Sequence, residues 1–156
     1  MIKMTSNHFN RIIYKDCFFT IEHTVSYDIP GYLILSFNKH IPLADQGMDV
    51  LSKLGPLLAL STQSIQEVVK PQKVYCLLFG EKNENPHFHL FPRTKELKQE
   101  YESLFGIRPD GVVSGPDLFS WITKHKHGLN SQVGTISRKI KSCLLDYQSK
   151  TAKKNL

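Results

Sequence analysis

The sequence predicts an α+β fold built on a mainly antiparallel sheet, and three observations carry that expectation. Two short apolar runs, residues 74–79 (VYCLLF) and 87–91 (HFHLF), are joined by a polar connection at 80–86 (GEKNENP). That connection has hairpin-loop length, as an antiparallel pair requires. A third apolar run at 32–37 (YLILSF) is nearly continuous, so it reads as a central strand buried on both faces. Finally, residues 48–69 place Leu51, Leu54, Leu58, Ile65 and Val68/Val69 on one face of a long helix expected to pack on the sheet. Further helical segments follow the strands instead of alternating with them.

In chain order, residues 1–10 are polar and expected to fray. Residues 18–25 mix β-branched and aromatic side chains and read as a strand. The segment 26–31 (SYDIPG) is turn chemistry, because Pro30 fixes φ and Gly31 permits a positive one. Inside the long helix, Pro56 lacks an N–H and its ring meets the carbonyl of Ser52, so a kink or two shorter helices are expected. Lys70-Pro71 ends it. Leu97, Tyr101 and Leu104 give residues 94–105 an amphipathic helical pattern. Residues 106–115 read as a loop. A helical turn follows at 116–122, with Ser114 or Asp117 near its start and Trp121 as a packing residue. Ile136, Ile140, Leu144 and Tyr147 share one face of a last helix, and 148–156 reads as a Lys-rich disordered tail. The expected organisation is a domain at 1–106, its core at about 17–106, followed by a basic helical extension at 107–156.

Hydrophobic residues make up 40% of the 156 positions, which excludes a wholly disordered chain. The charge-free stretches, such as 29–37, are too short to span a bilayer, and MIKMTSNHFNRIIYKD contains no apolar run of secretory-signal length. Three cysteines without a C-x-x-C pair argue against a disulfide framework and for a reducing, cytoplasmic compartment. The net charge of +6 lies wholly in the C-terminal third. Residues 1–106 hold 11 Lys/Arg against 11 Asp/Glu, and residues 107–156 hold 9 against 3. A nucleic-acid-binding core would itself be basic, so nucleic acid is not the expected partner.

The chemistry-bearing feature is Pro86-His87-Phe88-His89-Leu90. On a strand, residues two apart share a face. His87 and His89 are therefore presented together, while Phe88 and Leu90 anchor the opposite face. Such a pair can ligate a metal, work on a phosphate, or form a plain polar face. His125 and His127, in KHKHG, read as solvated surface.

The flanking residues narrow these options. NPHFHLFPR, from Asn85 to Arg93, resembles the signature of the histidine triad superfamily: three histidines alternating with apolar residues, then often Pro-Arg. In the ungapped register His89 falls on the third histidine, His87 on the middle one and Asn85 on the first. A register with His87 first needs a two-residue deletion before Pro92. Upstream, PGYLILSFNKH at 30–40 is similar to the family's strand from a Pro-Gly pair to a Lys-x-His end. The long helix and VYCLLFGE at 74–81 follow the family's order, so the likeness covers about residues 17–106.

The resemblance implies a nucleotide phosphate hydrolase or nucleotidyl transferase that forms a homodimer. Its substrates would be dinucleoside polyphosphates such as diadenosine tetraphosphate, or nucleoside phosphoramidates. His87 would be the nucleophile that forms a nucleotidyl-histidine, and His89 would contact the phosphate. Thr24 stands where the family has its ribose-contacting Asp or Asn. His40 falls on a phosphate-side or zinc-side histidine, or is simply a surface residue. Asn83 and Asn85 are the amides near the phosphates. Three departures stand out. Asn85 cannot deliver a titrating proton, the 80–86 loop is short, and Cys17 is followed three positions on by Thr20, not Cys. No metal and no cofactor are expected. Two competing readings are a nucleotide-binding module with little turnover, and a metal-dependent enzyme using His87, His89 and a remote His23 or His40.

Overall fold

The computed structural model describes residues 11–78, 85–128 and 131–154. Among these residues, five strands form one antiparallel sheet: β1 (Ile12–Lys15), β2 (Phe19–His23), β3 (Leu33–Phe37), β4 (Lys73–Leu78) and β5 (His87–Arg93). Their spatial order is β1-β2-β3-β5-β4. Four α-helices accompany them: α1 (Met48–Val69), α2 (Lys95–Phe105), α3 (Gly115–His125) and α4 (Val133–Lys154). The expected α+β class and antiparallel sheet are both present.

Local chemistry explains the turns. Asp16 accepts from the Phe18 and Phe19 amides at 2.8 and 2.7 Å, closing the β1–β2 turn. Gly31 sits at φ +87, and a Cβ there would lie 2.6 Å from Val69 Cγ2. Both the backbone and the close packing against α1 therefore require glycine. Ser114 caps α3 by accepting from the Asp117 amide. β1 was not anticipated, because Arg11 and Lys15 flank too short an apolar pattern. It pairs with β2 and contributes Ile13 to the core.

One face of the sheet packs on α1 and α4. Phe19, Ile21, Leu33, Leu35, Phe37 and Leu90 meet Leu57 and Ile65 of α1 and Ile140 and Leu144 of α4. The other face is covered by α2 and α3, where Tyr32 and Phe91 pack with Leu97, Leu118, Trp121 and Ile122.

Several expectations are corrected. β3 is not buried on both faces. Leu33, Leu35 and Phe37 are buried, while Ile34 and Ser36 are half-buried on the face that carries the histidines. α1 is one helix of 22 residues that continues through Pro56, so the alternative of two shorter helices is not realised. Pro56 is exposed, so water can satisfy the carbonyl it strands. The centre of α1's buried face is Leu57, Ser61, Ser64 and Ile65, with Leu54 and Leu58 flanking it. Counting apolar residues missed this because two of the four are serines. Their hydroxyls donate to the carbonyls of Leu57 and Leu60, which removes the cost of burying them. Residues 148–154, read as part of a disordered tail, are the last turns of α4. That helix packs on α1 and β1, so the C-terminal third contributes to the same core as the sheet.

Candidate active site

β5 presents the histidines as strand alternation requires. Phe88 and Leu90 face the α1/α4 layer, and His87 and His89 face the other side with Phe91. β3 sets Ser36 opposite His87 and Ile34 opposite His89, and β4 sets Leu77 on the far side of His89. The two imidazole centroids are 4.8 Å apart with their planes at 64°. Both rings are half-buried.

The two rings are held differently. His87 Nδ1 lies 2.8 Å from the Asn85 carbonyl. A carbonyl only accepts, so Nδ1 carries a proton, and in the neutral ring Nε2 carries the lone pair. His89 Nδ1 instead lies 2.8 Å from the Tyr32 hydroxyl. Phe119 of α3 packs edge-on against the His89 ring, 5.6 Å between centroids. Burial, with the neighbouring His87 charge as the lesser cause, pulls the His89 pKa down to about 4. At neutral pH His89 is therefore an uncharged imidazole.

Asn85 is buried, and its side-chain nitrogen donates to the Phe37 carbonyl at 2.9 Å. It ties the start of β5 to the end of β3 and shapes the segment whose carbonyl holds His87. Thr24 lies at the opposite end of β3, where its amide donates to the Tyr32 carbonyl and its hydroxyl accepts from the Ser26 amide. His40 is exposed beyond the other end of β3. The structure thus brings His87, His89 and Asn85 together and sets Thr24 and His40 at opposite ends of the neighbouring strand. Asn83 lies outside the described residues.

Sequence reasoning missed Tyr32, and it named His23 only as a possible remote metal ligand. Tyr32 is fully buried, and a lone phenol opening an aliphatic run signals that its hydroxyl will need a partner. His23 is also fully buried, donating from Nδ1 to the Thr24 carbonyl at 2.6 Å and accepting at Nε2 from the Gly31 amide at 2.8 Å. It holds the turn from which Tyr32 enters the sheet. With both nitrogens engaged, His23 is not available as a remote metal ligand. Among the described residues, no three His, Cys, Asp or Glu side chains gather into a metal site. A cleft of about 500 Å³, bounded by Pro30, Val69, Pro92 and Ile136, opens at the far end of β5 and includes neither β5 histidine.

One antiparallel five-stranded sheet thus carries two adjacent imidazoles on an inner strand. No family model and no curated protein matches the chain, but solved structures do. A hypothetical histidine triad nucleotide-binding protein from Sulfolobus tokodaii superposes with a TM-score of 0.61 at 17% identity, covering 87% of this chain and 84% of that one. A zinc-bound histidine triad family protein from Mycobacterium smegmatis gives 0.58 at 13% identity, covering 88% and 86%. A Hit-like protein involved in cell-cycle regulation from Bartonella henselae gives 0.53 at 12% identity, covering 85% and 84%. The fold is that of the histidine triad proteins, as the Asn85–Arg93 signature implied. A match over 87% of the chain is longer than residues 17–106 and reaches into the C-terminal third.

Proposed function

We propose that the protein is a nucleotide phosphate hydrolase or nucleotidyl transferase working through a covalent nucleotidyl-histidine at His87. The observation that supports this most is the fixed tautomer of His87. Its Nδ1–H is bound to the Asn85 carbonyl, which directs the Nε2 lone pair away from the backbone. An imidazole in that state is nucleophilic without first losing a proton. In the first step Nε2 attacks the α-phosphorus. A P–N bond forms, the bond to the leaving group breaks, and its electron pair departs with that group. In the second step water or another acceptor attacks phosphorus, and the P–N bond breaks with its electrons returning to Nε2. Water gives its proton to the surrounding solution or to the released group. His89, 4.8 Å away and uncharged at neutral pH, would contact the phosphate from the same face. Dinucleoside polyphosphates and nucleoside phosphoramidates are the substrate classes, and a homodimer in the cytoplasm is the proposed working form.

One observation favours a second reading, a module that binds nucleotide but turns it over slowly. The Asn85 amide is engaged by the Phe37 carbonyl, and an amide cannot pass a proton to the leaving group. Quenched single-turnover incubation with an α-phosphate-labelled dinucleoside polyphosphate separates the readings. The hydrolase reading expects label on His87, lost in acid and kept in base. Label on His89 would exchange the two roles, and tight binding without any label would leave the binding module.

A further inference from the structure

We propose that Tyr32 is a positioning residue whose hydroxyl donates to His89 Nδ1 and thereby fixes His89 as the tautomer with its proton on Nε2. The distance is 2.8 Å, and it is the one hydrogen bond that Tyr32 Oη makes among the described residues. A phenol can donate or accept, so the direction needs an argument. Tyr32 is fully buried, and burial pushes its pKa up, with a smaller push from Tyr27. The hydroxyl therefore keeps its proton at any working pH. A buried donor left without an acceptor costs more than a phenol oxygen that accepts nothing. Among the described residues, the acceptor that Tyr32 Oη meets is His89 Nδ1. An imidazole that accepts at Nδ1 and is uncharged must carry its proton on Nε2.

The ring that delivers this hydroxyl is itself immobilised. Tyr27 stacks on it at 5.7 Å and 13°, and Phe91 packs on it at 5.8 Å. The preceding turn is held by His23, through the Gly31 amide. Among the described residues, the groups facing His89 include His87 on β5, Tyr32 with Tyr27 behind it, Ile34 on β3, Leu77 on β4 and Phe119 on α3. The two site histidines are thus set in opposite states. The Asn85 carbonyl leaves His87 Nε2 as a lone pair, and the Tyr32 hydroxyl makes His89 Nε2 a donor. Resting on the hydrolase reading, this gives a division of labour: one ring attacks phosphorus while the other donates a hydrogen bond to a phosphate oxygen without adding a charge.

The test is the tautomer itself, read by long-range ¹H–¹⁵N correlation on histidine-labelled protein at neutral pH. The expected result is His89 protonated on Nε2 and His87 protonated on Nδ1, with Tyr32→Phe giving a mixture at His89 alone. In the same variant kcat should fall about 10–100-fold, the usual cost of removing the partner that orients a functional histidine, with KM nearly unchanged. A wild-type His89 protonated on Nδ1 would overturn the proposal whether or not the variant folds. So would a Tyr32→Phe protein with an unaltered His89 signal. Absence of any nucleotide turnover in the wild type, with the Nε2–H signal present, would instead sink the hydrolase reading and leave Tyr32's role standing.

Discussion

The two faces of the sheet are built on different principles. The face against α1 and α4 is held by aliphatic and Phe side chains, and its members are interchangeable in kind: Leu, Ile and Phe burying area. The face against α2 and α3 is richer in Tyr, Trp and Phe, and it carries both site histidines. Particular hydrogen bonds set its geometry: Tyr32 to His89 and His87 to Asn85, with His23, on the opposite face, holding the Gly31 turn that leads into Tyr32. The first face supplies stability that many sequences could supply. The second supplies orientation, which depends on single atoms. A substitution on the first should therefore cost folding free energy and spare the chemistry of the surviving fold, and one on the second should do the reverse.

The largest expected effect is at His87. His87→Ala removes the proposed nucleophile and should lower turnover by about 10³-fold or more, while nucleotide binding and the unfolding midpoint change little. His89→Ala should cost less, about 10²–10³-fold, the scale for one lost donor in a transition state. Turnover that persists in the double variant would remove both rings from the chemistry. The aliphatic counterpart is Leu57, 5% exposed against the sheet. Leu57→Ala should cost about 2–5 kcal/mol in urea unfolding, with kcat per folded molecule unchanged. A Leu57 variant that is fully stable but catalytically impaired would erase the distinction between the faces.

The same contrast explains what could be read from the sequence. Strand alternation and helical spacing identify the positions where area is buried. The sheet, the long helix and the shared side of His87 and His89 were legible because each rests on periodicity. Even there, the centre of α1's buried face shifted to Leu57, because Ser61 and Ser64 hide their hydroxyls in i−4 bonds that hydropathy does not register. The aromatic face was less legible. Nothing local tells Tyr32 that its partner lies 57 residues away on β5, and on the other face nothing tells His23 that it will hold the glycine eight residues later. β1 was missed because its apolar pattern between Arg11 and Lys15 is too short, although its partner β2 follows directly. The extent of α4 was missed because its partners, α1 and β1, are remote in sequence.

Gly31 is where the two faces touch. It leads directly into Tyr32, and its Cα packs toward Val69 of α1 and Pro92 of β5. Gly31→Ala adds a Cβ 2.6 Å from Val69 Cγ2 at a φ of +87, and Val is too stiff at χ1 to swing aside. The variant should lose about 1–3 kcal/mol, the range for a strained backbone position. Because the turn also sets Tyr32, kcat should fall as well, and the two losses should appear in one protein. Loss of stability with unaltered turnover would mean that the turn and the histidine pair are uncoupled.

The smallest effect is a slope with pH. His89 is drawn down to about 4 from 6.5, by burial first and by His87 second, and burial also lowers His23 despite its bond to the Thr24 carbonyl. Both rings take up protons in the unfolded chain near pH 6.5 and resist doing so when folded. Below that pH the unfolded state binds more protons, so stability rises with pH across this range and falls as the solution is acidified. The loss contributed by His89 begins near 6.5, grows as pH falls and levels off below about 4. Asp16 adds a loss of the same sign at lower pH. Burial raises its pKa, but the bonds from Tyr14 and from the Phe19 and Phe18 amides outweigh that and hold it below 3.8. The histidine contribution can therefore be isolated between pH 4 and 6.5. Urea unfolding measured across that interval should show a shallower decline for His89→Gln than for the wild type. An equal decline would mean that His89 takes up its proton as readily folded as unfolded, and that the aromatic face does not keep the ring neutral.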